Sequence, residues 1–265
     1  HTINRSLVKN SITLLQNNNN SLPLNHLDTM NIAAVCIGER TGTFEKTLSN
    51  YAKIDIYHLS EEHTQEEREK LLEKLISYNL VIASIHKSNS NAWEDYHINQ
   101  DTDIFLQTLG IQSKVILTVF ANPYSLSDLL ITYLFDGLII AYQNSEYAQS
   151  YAAQAIFGGI GINGKLPVST KHFNVGEGLS TAAIRLSYTT PQDIGISSSS
   201  LHRVDSIVEA SIKDQAMPGC QILAIKNGNV FYNKSFGYHT YKKERKVINS
   251  DIYDIASITK VTATI

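Results

Sequence analysis

The stretch LVIASI at residues 80–85 decides the fold. It is an apolar run of strand length without polar alternation, which predicts a strand that is covered on both faces. A second run of this kind follows at residues 114–120, and the segment between them, residues 101–109, predicts a helix. Strands of this type that alternate with helices imply parallel pairing in a sheet with helices on both faces.

The same alternation extends over the first part of the chain. Thr64, with Glu67 three residues on, forms a capping box that begins one of the helices. Strands are predicted at residues 32–37, 53–59 and 137–141, and helices at residues 3–15, 43–51, 64–77, 126–130 and 146–157. The first domain, residues 1–190, is therefore predicted to be an α/β three-layer sandwich with a mostly parallel sheet of five or six strands.

A change of composition near residue 190 marks the end of this domain. Residues 189–200 are rich in Thr, Ser and Pro and read as a linker with a helix cap. A helix is predicted at residues 201–216, followed by a hairpin at residues 221–236 that turns at Asn227-Gly228. Residues 191–265 are therefore predicted to be a small, incomplete α+β segment.

The overall composition excludes two classes of partner. The chain has 265 residues, a formal net charge of −3, 43% hydrophobic and 18% charged residues, as in ordinary globular proteins. No basic field indicates nucleic acid or an anionic membrane surface, and the apolar runs are too short to span a bilayer. No signal peptide is visible and the chain begins with His1, which fits a piece excised from a larger protein.

Three glycines match a dinucleotide-binding pattern that we reject. Gly159, Gly161 and Gly164 spell G-x-G-x-x-G. That motif needs a strand before it and a helix after it, whereas this one follows the predicted helix 146–157 and leads into residues 165–168 (KLPV). These residues are better explained as helix-capping and turn glycines.

The metal-ligating residue types are scattered along the chain. Cys36 and Cys220 sit in apolar runs and are expected to be buried thiols. His58, His86 and His97 could line the strand ends where open α/β sheets bind ligands. No histidine pair has metal-ligand spacing, so neither a metal nor a cofactor is expected.

A loop with one aromatic and two acidic residues is a candidate sugar site. Trp93, Glu94 and Asp95 could contact a sugar through stacking and hydrogen bonds. A solvated loop with one anchoring aromatic residue explains the same stretch at least as well. These three residues are the predicted substrate-binding group.

The end of the chain carries a candidate nucleophile. Ser257 and Lys260 are three residues apart, which places both side chains on one face of a helix. The Lys can then take the Ser proton and generate a nucleophile. The pattern Ser-x-x-Lys is weak by itself, because Ser6–Lys9 and Ser84–Lys87 also match it.

Four stretches of the first domain resemble the C-terminal domain of glycoside hydrolase family 3. Residues 11–17 (SITLLQN) and 22–24 (LPL) resemble the opening of that domain, and residues 157–169 (FGGIGINGKLPVS) resemble the signature that closes it. Residues 136–142 (DGLIIAY) match the strand before that signature. The resemblance implies a three-layer α/β sandwich and a carbohydrate ligand.

The same resemblance puts a catalytic carboxylate in this chain in doubt. Many family 3 β-glucosidases carry their acid/base Glu within the motif E-G-x-D-R. When Asp95 is aligned with the Asp of that motif, Ala92 takes the Glu position and Tyr96 the Arg position. Glycoside hydrolysis usually needs two carboxyl groups that face one bond, and no such pair can be nominated here.

The second part of the chain resembles the N-terminal portion of serine β-lactamase-like proteins, those related to class C enzymes and penicillin-binding esterases. Residues 217–220 (MPGC), 236–238 (FGY) and 253–260 (YDIASITK) carry this resemblance. It implies that Ser257 is a nucleophile and Lys260 its base partner. The Tyr-x-Asn and Lys/His-Thr/Ser-Gly elements of that family are missing from this sequence.

The order of the two resemblances is similar to that in multidomain bacterial β-N-acetylhexosaminidases. It implies a fragment of a periplasmic or secreted β-N-acetylglucosaminidase that is non-catalytic by itself, because an N-terminal (β/α)8 barrel would supply the catalytic groups. Two alternatives stay open: a serine hydrolase that uses Ser257 and Lys260, and a weak carbohydrate-binding module. The apolar side chains of the second segment could also pair two copies of the chain as a homodimer.

Overall fold

The computed structural model describes residues 2–39, 42–91, 93 and 96–264. They form two compact units, His1–Ser187 and Tyr188–Ile265. The division falls after Ser187, and the assignment of the two predicted domains stays a prediction. Among the described residues, no helix is both long enough and apolar enough to cross a membrane.

The first unit is built on a six-stranded sheet. Its strands are β1 (Thr13–Asn17), β2 (Ile32–Gly38), β3 (Ile54–Leu59), β4 (Leu80–His86), β5 (Val115–Phe120) and β6 (Gly137–Ile140). Their order across the sheet is β1-β6-β5-β4-β2-β3, and every pairing is parallel except that of β1 with β6. β4, the LVIASI strand, is buried along its whole length.

Helices cover both faces of this sheet. One face carries α1 (Thr2–Ser11), α2 (Thr43–Leu48) and α5 (Glu146–Ile156), and the other carries α3 (Gln65–Leu75) and α4 (Gln100–Gln112). Each face has its own apolar core, because neighbouring strand residues point to opposite sides of the sheet. The predicted three-layer α/β sandwich with a mostly parallel sheet is therefore confirmed.

The predicted C-terminal boundary of the first helix was wrong. The periodicity predicted helix through residue 15, but α1 ends at Ser11 and β1 follows at Thr13–Asn17. Leu14 is fully buried and pairs with Ile139 of β6. Pairing with a strand that is distant in the sequence overrides the local helical pattern.

Two stretches of the family 3 resemblance meet in space. Leu179 N donates a 2.7 Å hydrogen bond to Leu14 O, and Leu166 N donates a 2.8 Å hydrogen bond to Glu177 O. A side chain on Gly164 would lie 2.3 Å from Ile12 O, so only glycine allows this approach. The closing segment therefore folds back against the start of β1.

The structure bears out the rejection of the dinucleotide pattern. Helix α5 ends at Ile156, before the three glycines, and Gly158 has a φ of +72° just beyond that end. Within the described part of the chain, no helix begins between Phe157 and Ser187. A helix N-terminus that could hold a pyrophosphate is therefore lacking in this segment.

The second unit begins within β7 and holds the rest of a three-stranded sheet in the order β7-β9-β8. Its elements are β7 (Ser187–Tyr188), α6 (Ser198–Lys213), β8 (Gly219–Lys226), β9 (Asn229–Gly237) and α7 (Ile258–Thr262). The hairpin turns at Asn227 and Gly228, both with positive φ, as a tight hairpin turn requires. Asp205 of α6 accepts hydrogen bonds from Tyr232 and Lys234 of β9, which joins the helix to the hairpin.

Candidate functional site

An open cleft of about 700 Å³ lies at the carboxyl ends of the central parallel strands. Its lining includes Glu39 after β2, Ser60 and Glu62 after β3, Lys87 after β4, and His97 and Asn99 before α4. From β2 the chain crosses to β3 on one side, and from β4 it proceeds to β5 on the other. Neighbouring β2 and β4 therefore form the topological switch point, where open α/β sheets bind ligands.

Partner groups hold several polar side chains of the cleft in place. Lys87 Nζ forms an ion pair and hydrogen bond with Glu61. Asn99 Nδ2 donates a 2.8 Å hydrogen bond to Glu61 O, and His97 Nδ1 lies 3.0 Å from Asp128 Oδ2. The wall of the cleft is therefore polar and largely arranged before any ligand binds.

A buried histidine forms the floor of the cleft. His86 ends β4 and is 2% exposed. Its Nδ1 lies 3.0 Å from Asn144 Oδ1, and its Nε2 lies 2.9 Å from Ser84 Oγ. The ring stacks on Phe120 with a centroid distance of 4.7 Å. Gln149 Nε2 donates to the same Asn144 oxygen at 2.6 Å.

The hydrogen-bond pattern assigns the proton of this imidazole. Because Asn144 Oδ1 already accepts from Gln149, it also accepts from His86 Nδ1–H. His86 Nε2 then accepts the Ser84 hydroxyl proton. Burial lowers the pKa of His86, against an opposing effect of the hydrogen bond to Asn144, and favours the neutral ring.

Ser84, His86 and Asn144 have the connectivity of a nucleophile, a base and an orienting group. Ser84 is fully buried, however, and its hydroxyl also lies 3.4 Å from Val35 O. A substrate carbonyl cannot reach a hydroxyl in this position, so the chain of hydrogen bonds positions the strand ends. Sequence inspection pointed to Ser84 only through the weak Ser-x-x-Lys pattern and to His86 as a strand-end residue.

The residues that flank the predicted sugar loop belong to the cleft. Lys87 and His97, at its two ends, line the cleft, while Trp93 in its middle is 76% exposed. Glu94 and Asp95 lie outside the described residues. The role of these three residues in binding a sugar stays a prediction.

The structure places the predicted nucleophile at the start of the short helix α7. Ser257 immediately precedes the helix, Lys260 lies in its first turn, and Lys260 N donates a 3.2 Å hydrogen bond to Ser257 O. No hydrogen bond between Ser257 Oγ and Lys260 Nζ is present in the described part of the chain. The catalytic pairing of Ser257 with Lys260 stays a prediction.

The two cysteines differ in their surroundings. Neither forms a disulfide, Cys36 is buried, and Cys220 is half-buried. Burial raises the pKa of the Cys220 thiol, which keeps it protonated and unreactive at neutral pH. Cys36 lies close to Glu45 and His58, a grouping that spacing along the sequence did not reveal.

Comparison with known sequences gives a short match. No protein-family model matches the chain. Protein flp of Staphylococcus aureus strain NCTC 8325 is 38% identical over 65 residues, which cover 24% of this chain and 13% of flp. Protein flp of strain N315 matches over the same length with the same identity. The chain therefore spans a small part of the curated relatives that it matches.

Comparison with solved structures identifies the fold. The fungal multi-domain GH3 β-N-acetylglucosaminidase matches with a TM-score of 0.52 and 18% identity, over 83% of this chain and 24% of that chain. A β-glucosidase from Erythrobacter marinus matches with a TM-score of 0.51 and 15% identity, over 66% and 34%. A β-glucosidase from Listeria innocua matches with a TM-score of 0.50 and 17% identity, over 61% and 25%.

These likenesses show the fold. The chain shares its α/β sandwich fold with part of the fungal GH3 β-N-acetylglucosaminidase and with part of the Listeria β-glucosidase. It spans about a quarter of the length of the fungal β-N-acetylglucosaminidase and of the Listeria β-glucosidase.

Proposed function

We propose that the first unit is the sandwich domain of a glycoside hydrolase and that its cleft completes a binding site for β-N-acetylglucosaminides. The observation that carries the proposal is the open polar cleft at the switch point between β2 and β4. The shared fold and the family 3 resemblance of residues 11–24 and 157–169 support it. A (β/α)8 barrel domain would supply the other wall of the site.

The lining of the cleft suits a neutral, polyhydroxylated ligand. Glu39 and Glu62 can accept hydrogen bonds from sugar hydroxyls, and Ser60 and Asn99 can both donate and accept them. Lys87 is paired with Glu61, so the cleft offers little unbalanced positive charge for an anionic ligand. The side chains that line the cleft therefore favour sugar binding over phosphate binding.

The proposed role is binding without bond cleavage. Glycoside hydrolysis uses one carboxyl group as general acid and a second as base or nucleophile. Here Glu61 is held by Lys87, and Glu39 accepts a 3.2 Å hydrogen bond from Asn144 Nδ2. The proposal therefore assigns both catalytic carboxyl groups to the barrel.

A titration with N-acetylglucosamine followed by NMR tests the binding role. We expect weak, saturable binding that Glu62→Gln weakens several-fold, because Glu62 is exposed in the cleft wall. Glu66→Gln, an exposed carboxylate in the first turn of α3, is the matched control and leaves binding unchanged. Absence of saturable binding at the highest soluble sugar concentration would overturn the proposal.

A second pair of variants tests the predicted sugar loop. Trp93→Ala should weaken the same binding, because Trp93 lies on the loop that leaves β4 at the cleft end of the sheet. Tyr133 is the control: it is 73% exposed, and it precedes β6 at the opposite end of the sheet. Equal effects of Trp93→Ala and Tyr133→Ala would remove the loop from the site.

A chromogenic N-acetylglucosaminide tests the absence of catalysis. We expect hydrolysis no faster than in buffer, because the proposal places no carboxyl pair in this chain. Hydrolysis well above buffer that Glu39→Gln or Glu62→Gln abolishes would place catalysis here and refute the non-catalytic role.

The position of Ser257 at the start of α7, with Lys260 one turn on, favours a second candidate function, a serine hydrolase. Labelling with a fluorescent penicillin distinguishes it from the first. We expect no adduct, because in the described part of the chain Ser257 Oγ makes no hydrogen bond to Lys260 Nζ that would prepare it for attack. Labelling that Ser257→Ala abolishes, and that the exposed control Ser250→Ala leaves intact, would establish the hydrolase instead.

A further inference from the structure

Three metal-ligating side chains of different chemistry converge below the cleft. Cys36 of β2 lies directly opposite His58 of β3 in the parallel register. Glu45 belongs to α2, the helix that covers this face of the sheet. One ligand atom from each residue lies within 4.8 Å of the other two.

The carboxylate of Glu45 is the most unusual part of this cluster, because it is buried without the hydrogen bonds that normally accompany burial. Glu45 is 9% exposed, and its Oε2 is buried with no hydrogen-bond partner among the described residues. Its Oε1 lies 3.9 Å from His58 Nδ1, which is too long for a hydrogen bond. An unpaired buried carboxylate oxygen is costly, and a cation would satisfy it.

The spacing suits ligands of one ion. Two nitrogen or oxygen ligands at about 2.1 Å from a tetrahedral zinc ion are roughly 3.4 Å apart. The 3.9 Å separation of Glu45 Oε1 and His58 Nδ1 needs only a small side-chain adjustment to reach that value. The β2–β3 register holds Cys36 and His58 side by side, so little conformational entropy is lost when the site assembles.

We propose that Cys36 Sγ, His58 Nδ1 and a Glu45 carboxylate oxygen bind one zinc ion. Sulfur, nitrogen and oxygen donors together suit zinc, whereas Mg²⁺ and Ca²⁺ require oxygen ligands. On binding, the Cys36 thiol loses its proton to solvent and sulfur donates an electron pair to the metal. One thiolate and one carboxylate then balance the two positive charges of zinc, so a neutral assembly is buried.

Solvent can reach the proposed site from the side of His58. The His58 side chain is 27% exposed, and β3 is the edge strand of the sheet. Water, or one further ligand, can therefore complete the tetrahedron from solvent. Cys36 and His58 each lie two residues before a residue of the cleft lining, Gly38 and Ser60. Bound zinc would fasten α2 to the strands that carry the cleft.

Cobalt(II) titration of the metal-stripped full chain tests the site. We expect one equivalent to produce a thiolate-to-cobalt charge-transfer band and the intense visible bands of tetrahedral cobalt, and zinc to displace both. Cys36→Ser should abolish the charge-transfer band. Cys220→Ser, which removes the other cysteine, is the matched control and should leave every band unchanged.

Affinity and thermal stability give a second readout. Glu45→Gln and His58→Gln should each weaken zinc binding by more than about 100-fold, because losing a ligand costs more than losing an outer-shell partner. Zinc should raise the Tm of the wild type and of Cys220→Ser, but not that of Glu45→Gln. Circular dichroism of each metal-free variant checks that it is folded. If Cys36→Ser does not fold, the zinc affinity and Tm of Glu45→Gln provide the test of the site instead.

Two outcomes would overturn the proposal. One is the absence of a charge-transfer band and of any zinc-dependent shift in the Tm of the wild type. The other is a charge-transfer band that survives Cys36→Ser and is lost in Cys220→Ser, since the metal would then bind elsewhere. Neither measurement depends on sugar binding, so the zinc site and the proposed function can fail separately.

Discussion

Gly38, the residue where β2 ends at the cleft, allows the two central strands to meet at the switch point. Its φ is +92°, and a side chain there would place Cβ 2.5 Å from His86 O. Gly42 also has a positive φ, +75°, but beyond its chain neighbours no atom of the described residues lies within 4 Å of where its Cβ would be. Substitutions at Gly38 and Gly42 therefore distinguish two effects on stability: that of an unfavourable backbone conformation, which both share, and that of close contact, which only Gly38 has.

Gly38→Ala should lower the free energy of unfolding more than Gly42→Ala. Each variant strains the backbone by about 1 kcal/mol or more, and only Gly38→Ala adds a clash with the backbone of β4. Urea denaturation of the two variants beside the wild type measures the difference. Equal losses would show that the close approach to His86 costs nothing.

The buried His86 should make stability depend on pH. Its pKa is lowered from 6.5, chiefly by burial, so the unfolded state binds the proton more readily than the folded state. The stability contributed is complete above pH 6.5 and is lost as pH falls from 6.5 toward the lowered pKa of the folded state. Protonation would place two donors on a ring whose Nε2 must accept from Ser84.

His86→Gln should flatten this pH dependence. The measurement is the free energy of unfolding in urea at several pH values below neutrality. His97→Gln is the control, because the His97 side chain is 64% exposed, whereas His86 is 2% exposed. A profile for His86→Gln that matches the wild type would show that another group sets the acid sensitivity.

Individual candidate residues could be identified from the sequence, but which of them lie together in the structure could not. His58, His86 and His97 could be nominated as strand-end residues from the strand pattern alone. The grouping of Cys36, Glu45 and His58 could not, because each residue belongs to a different element. Spacing rules for metal ligands apply to residues within one turn or loop, and strand register lies outside them.

Among the helices, α3 shows how local signals fix an element. Thr64 Oγ1 accepts a 3.2 Å hydrogen bond from Glu67 N, and Glu67 Oε2 accepts a 2.8 Å hydrogen bond from Thr64 N. This is the capping box that the sequence predicted, and the helix begins at the next residue, Gln65. Both hydrogen bonds join residues within one helical turn, so the start of this helix could be predicted without knowledge of tertiary contacts.

Loss of this cap should weaken the first unit modestly. Thr64→Ala removes the side-chain acceptor for Glu67 N and should cost about 1 kcal/mol of unfolding free energy. Thr64→Ser keeps a hydroxyl in the same place and should cost clearly less. Thermal or urea unfolding of both variants checks the order, and equal losses would indicate that the methyl group matters instead.

Elements that depend on distant partners were predicted less well. β1 was expected to be the end of a helix, because residues 3–15 show helical periodicity. Its identity as a strand comes from pairing with β6, whose residues 137–140 are far along the chain. The expected helix at residues 126–130 is instead a single 3-10 turn, Pro123–Ser127.

Across the whole chain, the two units bury very different amounts of apolar surface. The first has two cores with many fully buried side chains, one on each face of the sheet. In the described part of the second, the buried apolar side chains are those of Val208, Val230, Tyr232 and Val247. Burial of apolar area is the main favourable term in folding, so the units should differ in stability.

Hydrogen exchange in increasing urea should resolve this difference. Amides of β8 and β9 are expected to lose protection at lower urea than amides of β4 and β5. Leu117→Ala, in the fully buried strand β5, should shift the β4 and β5 transition by about 2–5 kcal/mol. A single common transition for all four strands would show that the units unfold as one.

The class of fold could be read from the sequence because apolar runs and helical periods are repeated along the chain. The order of strands could not, because β2, β4, β5 and β6 are similarly apolar and nothing local says which ones are neighbours. The cleft depends on that order, since its position is set by the adjacency of β2 and β4. A general location at strand ends was therefore predictable, and the lining residues were not.

The antiparallel pairing of β1 with β6 has a consequence for synthesis on the ribosome. Thr13 emerges early, but its partner Ile140 is translated much later, roughly ten seconds afterwards at a synthesis rate of about 5–20 residues per second. Until then, one edge of the nascent sheet has no neighbour and can associate with other unfinished chains. Slowing translation would lengthen this interval and should lower the soluble yield of the chain.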